Sequence, residues 1–348
     1  MSASPVRRPR PGIRDVAEAA GVSVTTVSHA LSGARAVHAS TREKVLRAAA
    51  DLGYVADPRA SGLRRNRSFL VGLVGDRMVT SPHASRMVLG AQEAVAEHGS
   101  LLVALDAEDD PELEERQIGS LLAHRVDAVV YARMFHQFVE VPASLAALPV
   151  VLLDASSDDP AVPSAVPDEQ AIAALMVGHL LAQGHRRIGM LTTVDQTPAA
   201  WGREQGYVRT LADAGIAYDD ALLLQCATDT VAAREAALPW LARDGRPTAV
   251  FCFNDQLAMG VYQAAAAHGL SIPRDLSVTG VDDLELISAA LVPGLTTAAL
   301  PHREMAGWAV AEVMRMLTGE ASAPGAPRQI ALPATLVERG SVAPPAGQ

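Results

Sequence analysis

The sequence predicts an α/β protein in which a small all-α helix-turn-helix unit precedes a larger body of two doubly wound lobes. Residues 13–53 carry helical periodicity throughout, whereas short apolar runs alternate with amphipathic stretches from Phe69 onward. The same alternation restarts near Asp168, so two sheets are expected, each with its own helices. Alternating strands and helices are typical of parallel sheets with right-handed crossovers. A chain of 348 residues is long enough for two or three such units.

Composition divides the chain further. Residues 1–12 are rich in Pro and Arg and are expected to be disordered, and the Pro/Gly/Ala tail 343–348 is not expected to pack. Between them we expect a helix-turn-helix unit at 13–55, a basic linker at 56–68 and the two-lobed body at 69–342.

The charge distribution separates the N-terminal part from the rest. The net charge of −10 on its own argues against nucleic-acid binding. Residues 1–67, however, hold 12 Lys+Arg against 5 Asp+Glu, a net charge of +7, and the remaining residues carry −17. A basic segment joined to an acidic body is expected where one segment meets a polyanion.

Cysteine content and hydropathy predict the compartment. Cys226 and Cys252 both lie in apolar runs, where buried thiols in a reducing compartment are expected. Neither has metal-ligand spacing around it, so we expect no metal site and no cofactor. The sequence shows no signal-peptide pattern and no uncharged apolar stretch of about 20 residues. A cytoplasmic protein without membrane association is therefore expected.

The strongest local signal is in the segment 13–31. Apolar residues at helical spacing form a first helix, Gly21 permits a tight turn, and Ser23 can cap a second helix that buries Val27. The exposed edge of the second helix is small and polar with one basic residue, which suits contact with base edges and phosphates in a major groove. The residues predicted to contact DNA here are Arg14, Ser23, Val24, Thr25, Thr26, Ser28 and His29. Any other small three-helix bundle is the alternative interpretation.

A third helix is predicted after Ser40. The run Ser40-Thr41-Arg42-Glu43 fits a capping box. Its expected buried stripe consists of Val45, Leu46, Ala49 and Leu52.

Several motifs resemble the LacI/GalR (lactose-repressor) family over almost the whole chain, from Ile13 to about Ser341. In the first unit these are Asp15-Val16-Ala17, Gly21-Val22-Ser23, Thr26-Val27-Ser28, Thr41-Arg42-Glu43-Lys44-Val45 and Gly53-Tyr54. In the body they include Gly184-His185-Arg186-Arg187-Ile188, Arg203 with Gly206-Tyr207, Phe253 to Gly260, Ser277 to Asp283, and Leu336-Val337-Glu338-Arg339.

The resemblance implies that the basic linker is a hinge helix that enters the minor groove of DNA. Leu63 would be the apolar wedge that opens a base step. The arginines Arg59, Arg64 and Arg65 would hold phosphates. A basic linker that never folds remains the alternative. His29 stands where the family commonly has Arg, so operator preference cannot be transferred.

The resemblance also implies a periplasmic-binding-protein-like body and a homodimer that binds two-fold operator DNA. Lobe one would take residues 69–166 with 298–322, and lobe two residues 167–297 with 328–342. The tetramer-forming tail of some relatives is not apparent after Arg339.

A ligand cleft is expected where the carboxyl ends of the strands of both lobes meet. Polar residues near strand ends are the predicted effector-binding residues: Asp76, Asp154, Trp201, Arg203, Asn254 and Asp282. The family resemblance assigns an effector contact to Arg203, Asn254 and Asp282, with a sugar or nucleoside-like ligand. Charged groups in these places can equally be helix caps, which is our expectation for Asp255 and Asp283. The sequence departs from the family at Leu300, His302 and Val281, so the ligand can be atypical or the response lost.

The sequence as a whole predicts a DNA-binding transcription repressor controlled by a small polar effector. An enzyme is the first alternative, but no glycine-rich phosphate loop, nucleophile elbow or metal cluster is present in the sequence. A free-standing solute receptor is the second, and the attached basic unit argues against it.

Overall fold

The computed structural model describes residues 11–32, 35–54, 67–320 and 328–346. It divides into two units, the second of which begins at Leu70. The first unit holds the helices α1 (Ile13–Ala20), α2 (Val24–Ser32) and α3 (Ala39–Leu52). The second unit holds two sheets with helices, as the sequence predicts.

The turn between α1 and α2 has the predicted geometry. Gly21 adopts a left-handed conformation at φ 66°, which glycine tolerates without steric cost. Ser23 Oγ accepts a hydrogen bond from the Thr26 N–H at 3.1 Å and so caps α2. Val16 and Val27 are fully buried in a small core that also contains Val45. The three helices therefore pack around the positions that the periodicity indicated.

Helix α3 departs from its prediction in two ways. It begins at Ala39, one residue before Ser40, and its first turn has no side-chain cap, so the capping box is wrong. Leu46 is 46% exposed and Leu52 is 38% exposed, whereas Val45, Ala48 and Ala49 are buried. Successive helical residues lie roughly 100° apart, so Leu46 lies off the face centred on its neighbour Val45.

Lobe one is built on a six-stranded parallel sheet. Its strands are β1 (Leu70–Gly75), β2 (Leu101–Asp106), β3 (Ala128–Phe138), β4 (Val150–Ser156), β5 (Ser164–Pro167) and β11 (Gln329–Leu332), in the spatial order β11-β5-β4-β3-β1-β2. Its helices are α4 (Ala84–Glu97), α5 (Pro111–Ala123) and α11 (His302–Thr318), with a 3₁₀ turn at Ala143–Leu145. Helices α4 and α11 cover one face of the sheet and α5 covers the other.

Lobe two repeats this plan, with a last strand that runs antiparallel. Its strands are β6 (Ile188–Thr193), β7 (Leu223–Cys226), β8 (Ala249–Cys252), β9 (Ser277–Val281), β10 (Thr296–Ala299) and β12 (Thr335–Val337), in the order β12-β10-β9-β8-β6-β7. Its helices are α6 (Glu169–Ala182), α7 (Pro198–Asp213), α8 (Thr230–Leu241), α9 (Asp255–Ala267) and α10 (Glu285–Ser288), with a 3₁₀ turn at Asp220–Leu222. Helices α6 and α7 cover one face and α8 and α9 the other. Cys226 and Cys252 are free thiols buried in this second core, as predicted.

The chain passes between the lobes after β5, after β10 and after β11, and a proline stands at each passage: Pro167, Pro301 and Pro333. The expected lobe limits need a correction here. Strand β11 pairs with β5 in lobe one, although residues 328–342 were assigned to lobe two. Strand β10 pairs with β9, so residues 298 and 299 belong to lobe two. Both β10 and β11 have only four residues, and their sheets could be told apart only by their pairing.

Within the described residues, no helix has the length and apolar character needed to cross a membrane.

Candidate functional site

A cleft of about 570 Å³ opens between the two lobes at the carboxyl ends of their strands. Lobe one contributes residues from the loop after β1, from the end of β3 and from β4, among them His83, His136 and Asp154. Lobe two contributes residues that follow β6, β8 and β9, among them Asp195, Asn254 and Asp282, together with Glu169 and Arg203. Leu300 and His302, at the second passage between lobes, form part of the wall.

The structure brings four of the six predicted effector-binding residues to the cleft wall: Asp154, Arg203, Asn254 and Asp282. The other two are elsewhere. Asp76 directly follows β1, but its side chain is buried beside Asp109 and Arg133 and is not part of the wall. Trp201 lies on α7 with 64% of its surface exposed and does not line the cleft. A position near a strand end therefore does not determine which way a side chain points.

Arg203 is held in place on three sides. Its Nε donates to Oε2 of Glu169 at 2.8 Å, and its Nη1 donates to the carbonyl of Phe253 at 2.6 Å. Its guanidinium carbon lies 4.4 Å from the centre of the Phe253 ring. Both members of the Arg203–Glu169 pair are at most 5% exposed by side chain. Glu169 is the first residue of α6 and was not predicted, because the sequence around it reads as an ordinary helix start.

The predicted capping roles of Asp255 and Asp283 are wrong. Asn254 caps α9 by accepting the Leu257 N–H at 2.9 Å, so it serves as a cap while it lines the cleft. Asp255 is fully buried and accepts from the Thr297 hydroxyl and the Leu284 N–H, at 2.6 and 2.7 Å. Asn254 occupies the capping position, one residue earlier. Asp255 can therefore link the start of α9 to the loop after β9 and to β10.

Asp283 is tied to the C-terminal part of the chain. Its Oδ1 accepts from Arg339 Nη2 at 2.7 Å and from the Ser288 hydroxyl at 3.1 Å. It therefore holds the loop after β9 against the segment that follows β12.

An irregularity in β3 shapes the lobe-one wall. The pairing of β3 with β4 shifts between Ala132 and Gln137, so residues 133–136 bulge opposite Asp154. Bulges re-aim side chains near functional sites. Asp154 itself has φ 55°, a left-handed conformation that is uncommon for a residue with a Cβ. The distortion presents His136 and Asp154 to the cleft.

Three histidine–carboxylate pairs line this cleft. His302 Nε2 lies 3.6 Å from Asp154 Oδ2, and His136 Nδ1 lies 3.8 Å from Glu169 Oε1. His83 Nε2 lies 3.7 Å from Asp282 Oδ2. All three distances exceed a good hydrogen bond. The sequence analysis did not predict His83 or His136, because the carboxylate that each one faces is far away along the chain. His302 was noted only as a departure from the family.

Burial sets the ionisation of this cleft. It raises the pKa of Asp154 and that of Glu169 to about 7, in both cases against the influence of Arg203. It lowers the pKa of His136 and that of His302 to about 4. Both oxygens of Asp154, Glu169 Oε1, His136 Nδ1 and His302 Nε2 are buried without a hydrogen-bond partner among the described residues. Such groups are normally satisfied, so the cleft has capacity for a hydrogen-bonding ligand.

The first unit presents a separate candidate surface. Arg14, Ser23, Val24 and Thr25 are exposed, whereas Thr26, Ser28 and His29 are half-buried. Thr26 Oγ1 lies 2.9 Å from Ser23 Oγ, so this threonine takes part in the start of α2. The hinge residues Arg59, Leu63, Arg64 and Arg65 lie outside the described residues.

Comparisons with known proteins agree with this organisation. The family model described as "Bacterial regulatory proteins, lacI family" matches residues 12–57, and "Periplasmic binding proteins and sugar binding domain of LacI family" matches residues 70–337. The sucrose operon repressor of Escherichia coli is 34% identical over 299 residues, which cover 83% of this chain and 89% of that protein. The HTH-type transcriptional regulator DegA of Bacillus subtilis (strain 168) is 30% identical over 336 residues, 95% of this chain and 98% of that protein.

Among solved structures, a Lac repressor dimer bound to operator and the anti-inducer ONPF matches with a TM-score of 0.76 and 28% identity, covering 96% of this chain and all of that one. The chain therefore belongs to the LacI family of bacterial regulatory proteins, DNA-binding transcriptional repressors whose body is a periplasmic-binding-type sugar-binding domain.

Proposed function

We propose that this protein represses transcription from an operator, and that a polyhydroxylated effector of the sugar class bound between the lobes controls its operator affinity. The observation that carries the proposal is the set of unpartnered polar atoms on Asp154, Glu169, His136 and His302 in one cleft. Hydroxyl groups both donate and accept, so a polyol can satisfy carboxylate oxygens and neutral imidazole nitrogens together. Arg203 and Asn254 complete the polar wall.

The DNA contacts belong to the first unit. Thr25 and His29 read bases from α2 with Ser28 and Val24 beside them, while Arg14, Ser23 and Thr26 contact the backbone near the helix starts. The hinge residues Arg59, Leu63, Arg64 and Arg65 add phosphate contacts and a minor-groove wedge. A homodimer places two such units on a two-fold operator, and the regulator works in the cytoplasm, where that operator is. Two relatives support a sugar-class effector and a homodimer, since one is a sucrose operon repressor and the other is a Lac repressor dimer bound to operator.

Two linked measurements test this function. A thermal-shift screen of sugars, polyols and nucleosides should find compounds that raise the melting temperature, because a ligand of the native state stabilises it by mass action. Operator binding, with DNA selected from a random library, should then change when such a compound is added. Operator affinity should also fall steeply with salt, as arginine contacts displace counterions from DNA. A salt-independent affinity would contradict the DNA assignment, and a screen without any stabilising compound would contradict the effector assignment.

A further inference from the structure

The cleft is lined by more carboxyl groups than guanidinium groups. Among the described residues that line it, the carboxylates are Asp154, Glu169, Asp195 and Asp282, and the guanidiniums are those of Arg77 and Arg203. Two of its histidines, His136 and His302, add little positive charge at neutral pH, because burial lowers the pKa of each to about 4. The excess of carboxyl groups limits the charge of the effector that the cleft can bind.

Both guanidiniums are already paired. Arg203 is engaged by Glu169 at 2.8 Å and by the carbonyl of Phe253. Arg77 pairs at 2.7 Å with Asp109, which does not line the cleft. An anionic ligand would therefore meet carboxylates without an uncommitted guanidinium to offset them, and like charges in a partly enclosed site repel strongly.

Asp154 is the one of these carboxylates that most lacks a donor. It is 1% exposed, and neither of its oxygens has a hydrogen-bond partner among the described residues. The nearest positively ionisable group, His302 Nε2, is 3.6 Å away and itself unpartnered. Burial raises the pKa of Asp154, and the carboxylate of Asp282 contributes to that rise. A buried carboxylate of this kind is costly unless a cation or several donors satisfy it.

An ammonium group would supply both the hydrogen-bond donors that Asp154 lacks and a positive charge among the carboxyl groups. It offers three N–H donors and a positive charge, whereas a hydroxyl offers one donor without charge and a phosphate monoester offers mostly acceptors and negative charge. Charge-assisted hydrogen bonds are about twice as strong as neutral ones. We propose, on the basis of the effector site proposed above, that the effector is an amine-bearing polyol of the amino-sugar class whose ammonium group binds Asp154, and that the cleft rejects phosphate esters.

Matched sugars that differ in one group test this directly. The probes are glucose, glucosamine, N-acetylglucosamine and glucose 6-phosphate, with the corresponding galactose and mannose series, measured by calorimetry and thermal shift at pH 7 on the full chain. In at least one series the amine should bind about tenfold or more tightly than its hydroxyl and N-acetyl counterparts, which corresponds to one charge-assisted hydrogen bond. The 6-phosphate should bind more weakly than the parent sugar.

Asp154→Asn should remove most of the amine preference. Asp76→Asn is the matched control, since it removes a buried strand-end carboxylate of the same lobe that does not line the cleft, and it should keep the preference. Melting temperatures without ligand identify any variant that fails to fold, and in that event Asp154→Glu, which keeps the charge but moves it, should still reduce the preference.

The outcomes separate the two proposals. Neutral sugars that bind as well as or better than the amines, or an amine preference that survives Asp154→Asn, would overturn the amine assignment alone. A 6-phosphate that binds best would do the same. If no probe and no compound of the wider screen binds, the sugar-class effector falls as well.

Discussion

Nε2 of His83 lies 3.7 Å from Oδ2 of Asp282, and the two residues belong to different lobes. His83 directly precedes α4 in lobe one, and Asp282 directly follows β9 in lobe two. A second contact between lobes joins Arg86 and Asp283, with 3.7 Å between Nη2 and Oδ2. An effector that binds Asp282 competes with His83 for the same carboxylate. It can therefore favour one arrangement of the lobes by its differential contacts.

Replacing Asp282 with Ala is expected to abolish the response of operator affinity to the effector. In an inducible repressor, binding without effector should persist, since the DNA-contacting unit is unchanged; in a corepressed one, tight binding should be lost. Operator affinity is measured with and without the strongest compound of the thermal-shift screen. Asp213→Ala, an exposed aspartate at the end of α7, serves as the control. A normal response in the Asp282 variant would remove this residue from the effector site.

Sequence preference is expected to depend on Thr25 and His29. Thr25 is exposed and His29 half-exposed on α2, and each good base contact contributes roughly 1–3 kcal/mol of discrimination. Thr25→Ala and His29→Ala should therefore alter the preferred bases in a selection from random DNA. Lys44→Ala, at an exposed position on α3, should at most weaken binding to all DNA sequences by the same factor. An unchanged consensus for both α2 variants would mean that another surface reads the operator.

The sequence predicted the two-unit architecture well, because long periodic segments report burial directly. Asp154, Asn254 and Asp282 reached the cleft because parallel strands bring their carboxyl ends to one edge, and Arg203 reached it from α7. The failures involve orientation and distance along the chain. Asp76 and Trp201 had suitable positions but point elsewhere, and the bulge that presents His136 depends on how β3 pairs with β4. Glu169 could be found only through Arg203, 34 residues away along the chain.

The Arg203–Glu169 pair should behave as a coupled unit in stability measurements. Arg203→Met leaves the Glu169 carboxylate buried without its cation, and breaking a buried pair in this way typically costs about 3–5 kcal/mol. The loss should be smaller at pH 5 than at pH 8, because a protonated Glu169 no longer carries an unpaired charge. Adding Glu169→Gln should recover part of the lost stability. Melting temperatures of the wild type, both single variants and the double variant check this, and strictly additive losses would argue against the coupling.

Asp154 and His302 should affect the pH dependence of stability with opposite sign. Burial raises the pKa of Asp154 from 3.8 to about 7. Between these values the folded protein keeps a proton that the unfolded chain releases, so this residue makes stability fall as pH rises. Burial lowers the pKa of His302 from 6.5 to about 4. In that window the unfolded chain binds the proton instead, so His302 makes stability rise with pH.

The two effects oppose each other between about pH 4 and 6.5, so removing either one should expose the other. Compared with the wild type, Asp154→Asn should make the slope of stability against pH more positive, and His302→Asn should make it more negative. His136 titrates in the same window in all three proteins and cancels in the comparison, since neither Asp154 nor His302 contributes to its pKa shift. Removing Asp154 also lowers the pKa of Glu169, because the Asp154 carboxylate helps to raise it, and this changes the slope in the same direction as the loss of Asp154 itself. Melting temperatures at pH 4.5, 5.5 and 6.5 give the slopes. Asn is neutral at every pH, so each substitution removes the titration of one residue. If both variants changed the slope of stability against pH in the same direction, at least one of the two pKa shifts would have the wrong sign.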